Sequence, residues 1–325
     1  MRDQTGRDID YIRISITDRC NLRCVYCMPQ EGIRSLSHEE ILSYDEIVYV
    51  CTLMAQMGLR KIKVTGGEPL VRRDCDVLIR KLKQIPGIEK VTLTTNGVLL
   101  KEQMGRLAAA GLDAVNISLD TLDRKQYEEV TRRDQLPQVL EGIREALTYP
   151  QIPLKINCVP IMTEEGNLTA LAGLAKKAPI HVRFIEMMPI GYGRKYPFCS
   201  EEQIRAVLER AYGPMTPYGE KLGNGPSHYY SLEGFAGKIG FVSSISHKFC
   251  EQCNRVRLTA EGFLKTCLQY DTGHDLRRLL RSGADSRELK AAIGDAVLHK
   301  PASHHFLEEI SDTEEEQRAM SQIGG

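Results

Sequence analysis

Apolar and polar residues alternate from Asp10 to Thr17. Ile12, Ile14 and Ile16 fall on one face and Tyr11, Arg13 and Ser15 on the other, which predicts a strand. Residues 43–57 then repeat apolar positions at helical spacing and stop at Gly58. Further strands are expected over 60–65, 89–95, 113–119, 153–159 and 180–186. Helices are expected near 74–84, 100–110, 123–131, 135–148 and 167–177. Strand and helix alternate six times, the pattern of a parallel βα architecture.

Parallel strands covered by helices usually read as continuous apolar runs. These instead carry a polar set at period two. It comprises Arg13 and Ser15, then Lys61, Lys63 and Thr65, then Thr92 and Thr94. Asn116, Ser118 and Asp120 follow, then Lys155 and Asn157, then His181 and Arg183. An exposed antiparallel sheet would look similar, but the intervening helices argue against it. If helices cover the apolar face, six strands curled into an open barrel enclose a wet lumen. Arg13, Lys63, Lys155 and Arg183 would line it. Uncompensated cations at such a site are costly, so an anionic ligand is expected; ion pairs with Asp120 and Glu186 are the alternative. Residues 187–199 are rich in glycine and proline and end the barrel. A smaller unit follows, with a helix near 200–211 and short strands around 214–218, 227–231 and 237–242. Helices rich in Arg and Leu cover 274–300, and the acidic run Asp312–Glu316 reads as an exposed helix start.

With 325 residues the chain can hold one large domain, or one with a smaller extension. Lys+Arg and Asp+Glu balance at 43 each, so net charge argues for neither nucleic acid nor a membrane surface. No apolar run reaches spanning length, and the polar N-terminus does not read as a signal peptide. Ten cysteines without a secretory signal point to a reducing cytosol, hence a cytoplasmic location, and to metal ligation rather than disulfides.

Three of these cysteines form Cys20-x3-Cys24-x2-Cys27, directly after the first strand. Three thiolates so close, with no evident fourth ligand, suit a 4Fe–4S cluster with one iron left open; a structural zinc, which normally closes with four ligands, is the alternative. Gly66-Gly67-Glu68-Pro69 follows the second strand, and its glycines let backbone groups approach a ligand closely. A second set, Cys250-x2-Cys253-x13-Cys267, stands beside Arg255 and Arg257. Taken alone, His247 with these three cysteines would make a Cys3His zinc site. The first cluster and the adjacent arginines favour a second iron–sulfur cluster facing an anionic ligand. Cys51, Cys75, Cys158 and Cys199 read as small buried hydrophobes, and His304-His305 as a solvated pair or a metal site.

The first cysteine motif, with Tyr26 before its last cysteine, resembles the signature of radical S-adenosylmethionine enzymes. In that family the open iron binds the cofactor's amino and carboxylate groups, and reductive cleavage releases a 5′-deoxyadenosyl radical. With Thr65-Gly-Gly-Glu-Pro-Leu, Thr94-Thr-Asn-Gly, Arg183-Phe-Ile-Glu, Phe249-Cys-x2-Cys-Asn-Arg-x-Arg-Leu-Thr and the terminal Ile-Gly-Gly, the chain resembles the GTP 3′,8-cyclases of molybdenum-cofactor biosynthesis. The resemblance implies an α/β fold: an incomplete six-unit βα TIM-like barrel over 8–199, and a C-terminal α+β extension over 200–325 with a second 4Fe–4S cluster. It assigns Cys20, Cys24 and Cys27 to the cofactor-cleaving cluster and Tyr26, Gly67, Glu68, Ser118 and Met188 to S-adenosylmethionine. It assigns Cys250, Cys253 and Cys267 to a cluster facing guanine. It places Arg13, Lys63, Thr94, Lys155, Arg255 and Arg257 around GTP, and the lumen cation Arg183 is expected to join them. Arginine also occurs at the Lys63 position in the family, and lysine keeps the charge without bidentate geometry.

The implied reaction removes hydrogen from the ribose 3′ carbon and joins that carbon to carbon 8 of guanine. An electron, a proton and a cationic side chain such as Arg13 complete 3′,8-cyclo-7,8-dihydro-GTP. Gly324-Gly325 would reach back into the pocket to complete the site. Implied partners are a reductant protein such as flavodoxin or ferredoxin, the next enzyme (cyclic pyranopterin monophosphate synthase) and a second copy of the chain. A radical enzyme that modifies peptides and a zinc-stabilised binding module without catalysis are the rival readings.

Overall fold

The six alternating segments form β1 (Tyr11–Ser15), β2 (Lys61–Thr65), β3 (Lys90–Thr95), β4 (Ala114–Ser118), β5 (Leu154–Cys158) and β6 (Ile180–Ile185). They pair in parallel and in sequence order. Helices α1 (Tyr44–Gln56), α2 (Cys75–Lys83), α3 (Leu100–Ala109), α4 (Arg124–Thr131), α5 (Leu136–Leu147) and α6 (Glu165–Lys177) connect them. These are the βα units expected from the sequence, in a computed structural model that describes residues 1–306, 308, 316 and 318–324.

Local chemistry sets the element ends. α1 opens with a capping box: the Glu46 N–H donates to Ser43 Oγ at 3.1 Å and the Ser43 N–H to the Glu46 carboxylate at 2.7 Å, an arrangement contributing about 1 kcal/mol. The apolar strand face, including Ile12, Ile14, Ile62, Val64, Val91 and Leu93, is fully buried under the helices. Each such side chain stabilises the fold by about 1.5–3 kcal/mol. The helices thus take the apolar face and leave the polar face to the lumen.

The C-terminal part adds α7 (Glu201–Tyr212), β7 (Thr216–Tyr218), β8 (His228–Ser231), β9 (Ile239–Val242), β10 (Arg255–Leu258), β11 (Phe263–Lys265) and β12 (Gly273–Asp275). α8 (Leu276–Arg281), α9 (Ser286–Leu298) and the short α10 (Met320–Ile323) follow. Its strands join the barrel sheet at both edges. β9 pairs in parallel with β6 and β10 with β1, giving the order β12-β11-β10-β1-β2-β3-β4-β5-β6-β9-β8-β7. The register aligns Arg257 with Arg13 and Arg13 with Lys63, so three cations stand side by side at strand spacing, ~4.8 Å.

The acidic run behaves differently from the exposed helix start expected of it. Residues 312–315 lie outside the described residues, and Glu316 is only 2% exposed. It is drawn inward because its carboxylate meets the fully buried Lys265. Among the described residues no helix is long and apolar enough to cross a membrane.

Candidate active site

The polar strand face encloses two adjoining cavities. The larger, about 520 Å³, is lined by Arg13, Lys63, Lys155, Arg183, Arg255 and Arg257 together with Cys250, Cys253 and Cys267. The smaller, about 240 Å³, is lined by Cys20, Cys24 and Cys27 and by Tyr26, Gly67, Glu68, Ser118 and Met188. Arg13, Asn157, Ile185, Met188 and Arg257 line both, so the two triads stand at opposite ends of one lumen. Thr94, grouped by resemblance with the GTP residues, lines the smaller cavity, where its hydroxyl accepts from Asn116 Nδ2 at 3.3 Å.

The first triad sits on the loop leaving β1, and the glycine segment after β2 packs against that loop. A side chain on Gly67 would come within 2.4 Å of the Arg19 carbonyl oxygen, so only glycine fits. The Gly67 N–H donates to the Thr17 carbonyl at 2.6 Å and the Glu68 N–H to that of Arg19 at 2.8 Å. The glycines therefore dock one loop on the other as well as leaving backbone open to a ligand. Buried Glu68 accepts from Thr95 Oγ1 at 2.7 Å, the Asn96 N–H at 2.6 Å and the Leu70 N–H at 3.0 Å. Burial outweighs these bonds and lifts its pKa to about 7. The Tyr26 hydroxyl donates to Asp120 Oδ2 at 2.6 Å.

All three cysteines are free. Burial pushes the Cys20 thiol up to about 11 and, with the Cys20 charge, Cys27 up to about 12; burial, Cys27, Asp120 and Cys20 hold Cys24 well above the usual thiol range. Such sulfurs are poor free thiolates, but iron deprotonates its ligands. Cys20 Sγ also accepts from the Leu22 N–H at 3.4 Å and Asn96 Nδ2 at 3.9 Å, outer contacts that orient a ligand sulfur. Among the described residues no three His, Cys, Asp or Glu groups converge tightly enough to hold one ion. A cluster does not need that, since each sulfur binds a different iron. The smaller cavity therefore fits a three-cysteine cluster with its cofactor.

The second triad has a different setting. Burial pushes Cys253 up, but Lys300, Arg255 and hydrogen bonds from Arg255 outweigh it and leave it at about 7. Lys300 is buried, and its Nζ donates to the Thr266 carbonyl. Buried Arg7 ties this end together. Its guanidinium donates to the carbonyls of Cys250 at 2.7 Å, Ala302 at 2.9 Å and Pro301 at 2.7 Å. His247 does not join the cysteines; Nε2 is 3.4 Å from Glu202 and the side chain is 58% exposed. His304 is not solvated. It is buried in the larger cavity, and neither ring nitrogen has a hydrogen-bond partner among the described residues. His305 is held apart, its Nδ1 against Tyr270 at 2.7 Å.

The carboxylates proposed as partners for the lumen cations are engaged elsewhere. Asp120 accepts from Tyr26 and from the Val159 N–H; Glu186 accepts from the Ile245 and Ser246 N–H groups and the Ser246 hydroxyl. Among the described residues none of Arg13, Lys63, Lys155, Arg183, Arg255 and Arg257 has an ion pair. Arg13 Nε is buried without a partner among the described residues, Arg183 donates to Asn157 Oδ1 at 3.0 and 2.5 Å, and Lys155 donates to the Leu222 carbonyl. Burial and the neighbouring cations hold Lys63 well below the usual lysine range.

For Lys155, burial with Arg183 and Lys90 lowers the pKa to about 7. Its cross-strand neighbour His181 is lowered to about 4 by burial and by Lys155, Arg183 and Lys238, so it adds no charge at neutral pH. A bound polyanion restores the ordinary preference of Lys155 for its proton. Polyphosphate binding above pH 7 is therefore expected to take up a proton. Calorimetry in two buffers of different ionisation enthalpy at pH 7.5 measures it, and Lys155→Arg, charged throughout, should reduce the uptake. Equal uptake in both proteins would assign the proton elsewhere.

The tail enters this lumen. Ile323 packs with Ile190 and Leu268, and the Gly324 carbonyl accepts from Arg257 Nη1 at 2.7 Å. Gly324 has φ +87, and a side chain there would come within 2.8 Å of Ser15 Cβ and 2.9 Å of Thr65 Oγ1. The role expected for Gly325 falls outside the described residues.

The description "Radical SAM superfamily" matches residues 14–165, and "Molybdenum Cofactor Synthesis C" matches 180–306. The GTP 3′,8-cyclase of Pelotomaculum thermopropionicum is 46% identical over 329 positions that span 100% of both chains. The chain belongs to the GTP 3′,8-cyclase family. The cyclases of Syntrophomonas wolfei and Moorella thermoacetica are 44% and 43% identical at the same coverage. Among solved structures, Streptococcus suis SuiB bound to S-adenosylmethionine has a TM-score of 0.64 and 14% identity, over 88% of this chain and 68% of its own. That likeness shows the fold alone. The radical S-adenosylmethionine class implies one 4Fe–4S cluster and S-adenosylmethionine. Residue patterns had not pointed to Arg7, Lys300 or the 221–227 loop that also lines the larger cavity. Nothing in local spacing marks residues that meet only through tertiary packing.

Proposed function

We propose that this chain cyclises GTP to (8S)-3′,8-cyclo-7,8-dihydroguanosine 5′-triphosphate, the first step of molybdenum-cofactor biosynthesis. The observation that carries the reading is a row of lumen cations without carboxylate partners among the described residues, in the same cavity as the second cysteine triad. Arg13, Lys63, Lys155, Arg183 and Arg257 would hold the triphosphate. Cys250, Cys253 and Cys267 would hold a second 4Fe–4S cluster facing guanine, with Arg255 beside it. Tyr26, Gly67, Glu68, Ser118 and Met188 would hold S-adenosylmethionine against the first triad. When bound, cofactor and cluster supply hydrogen-atom abstraction, driven by electrons from a reductant protein such as flavodoxin or ferredoxin.

The chain's own residues then position and shield. The cations fix the triphosphate, which leaves the ribose near the junction lined by Arg13, Asn157 and Met188. Holding the reacting carbons together removes much of the entropic barrier to ring closure. The tail at Arg257 excludes water and solvent hydrogen donors. A cytoplasmic homodimer that passes its product to cyclic pyranopterin monophosphate synthase completes the proposal, with residues 8–199 as barrel and 200–325 as auxiliary-cluster part.

Arg257→Ala and Lys155→Ala test the phosphate assignment. Each charge-assisted contact contributes ~1.5–3 kcal/mol, so GTP binding should weaken by about ten- to a hundredfold while guanosine binding changes little. Equal losses for both ligands, measured by anaerobic titration, would mean that these residues support structure rather than phosphate.

A further inference from the structure

Lys265 is fully buried at the end of β11, directly opposite Arg257 on β10. Directly opposed residues of an antiparallel pair share a face. Lys265 Nζ donates to the Tyr270 carbonyl at 2.6 Å and meets the buried Glu316 carboxylate. Glu316 is itself fixed: its N–H donates to the Gln269 carbonyl at 2.7 Å, and its Oε1 accepts from the Arg318 N–H at 2.7 Å. The Arg318 guanidinium bridges to Asp271 at 2.6 Å and Glu261 at 3.0 Å and lies 4.8 Å over the Phe263 ring. The tail thus touches both members of one cross-strand pair, Lys265 through Glu316 and Arg257 through Gly324.

We infer that the Lys265–Glu316 pair is a positioning device for the reaction, setting the register of the tail so that Gly324 meets Arg257 in the lumen. The inference rests on the reading that the tail completes the active site. A buried ion pair is a poor source of net stability, because desolvation offsets most of its attraction. Its particular capacity is registry. Ile323 can slide along an apolar surface at little cost, whereas moving Glu316 off Lys265 leaves that fully buried ammonium with Asp271 alone, 3.8 Å away, while Glu316 keeps only Arg318 of its own segment, at 3.3 Å. Gly324 needs such registry, because Ser15 and Thr65 leave its slot no room for a side chain.

Three variants test this: Glu316→Gln, Lys265→Met, and the double Lys265→Met/Glu316→Met, which fills the site without charge. Iron content, GTP affinity, turnover and amide exchange of residues 318–324 are measured on the full-length holoprotein. For Glu316→Gln, iron and GTP affinity should stay within about twofold of wild type while kcat falls at least about tenfold, or ~1.4 kcal/mol of barrier. The tail amides should exchange faster, and 5′-deoxyadenosine should form in excess over cyclised product. The double variant, apolar at both positions, should not recover registry even where it recovers stability against urea. Wild-type turnover and tail exchange in Glu316→Gln would overturn the inference, as would parallel loss of iron, GTP binding and turnover. If wild-type protein makes no cyclised GTP, the proposed reaction fails, and unchanged or accelerated tail exchange in Glu316→Gln still decides the registry role.

Discussion

Cys24→Ala is expected to abolish 5′-deoxyadenosine formation, whereas Cys253→Ala should retain part of it and lose cyclisation. The two cysteines stand at opposite ends of one lumen with different neighbours. Cys24 shares the smaller cavity with Tyr26, Gly67 and Ser118 and is half-buried beside Cys20 and Cys27. Removing one of three ligands there leaves a radical S-adenosylmethionine enzyme without its cleavage cluster. Cys253 instead lies with Arg255 and Lys300 beside the cations proposed to bind phosphate. Its loss spares the cleavage end but removes the proposed guanine contact, so cyclisation should fall by about a hundredfold or more, ~2.7 kcal/mol of barrier. Chromatographic assay of 5′-deoxyadenosine and cyclised product, normalised to iron content, separates the effects. Normal cyclisation by Cys253→Ala would remove the second triad from the substrate site.

Removing Gly324 and Gly325 should leave iron content and fold intact yet nearly abolish cyclisation, and Gly324→Ala should come close to the same result. A terminal Gly-Gly usually frays, but here the Gly324 carbonyl engages Arg257 at 2.7 Å. Alanine faces two obstacles at this position. Its φ of +87 disfavours any residue with a Cβ by ~1 kcal/mol. The added carbon would also press on Ser15 of β1, which is paired with Thr65 of β2. The tail must then withdraw, exposing the lumen and freeing Arg257. Loss of about a hundredfold in kcat is expected, ~2.7 kcal/mol. Wild-type turnover in either variant would return the tail to an ordinary frayed end.

Much of this arrangement was legible because it rests on local periodicity. Arg13, Lys63, Lys155 and Arg183 stand at period two against apolar neighbours, and that pattern alone turns them toward a lumen. The spacing of Cys20, Cys24 and Cys27 likewise needs no tertiary information. What stayed hidden depends on long-range packing. β10 follows β1 by more than two hundred positions, so no local signal aligns Arg257 with Arg13. Glu316 reads as one more residue of a solvated acidic run until Lys265, on a different strand, is seen to be buried beneath it. His304 reads as exposed for the same reason: besides its near neighbour Phe306, at 4.5 Å between rings, it lines the larger cavity with the sequence-distant Ser244, Phe249 and Cys250. The glycines of Gly66-Gly67 were visible, but not their docking against the Thr17–Arg19 backbone.

The most direct test uses GTP carrying deuterium at the ribose 3′ carbon, incubated anaerobically with S-adenosylmethionine, a strong reductant and reconstituted protein holding about eight irons per chain. The expected result is deuterium in 5′-deoxyadenosine, with an equal amount of 3′,8-cyclised GTP. Unlabelled 5′-deoxyadenosine, or full activity with stoichiometric zinc at Cys250, Cys253 and Cys267, would contradict the two-cluster lumen proposed for this chain.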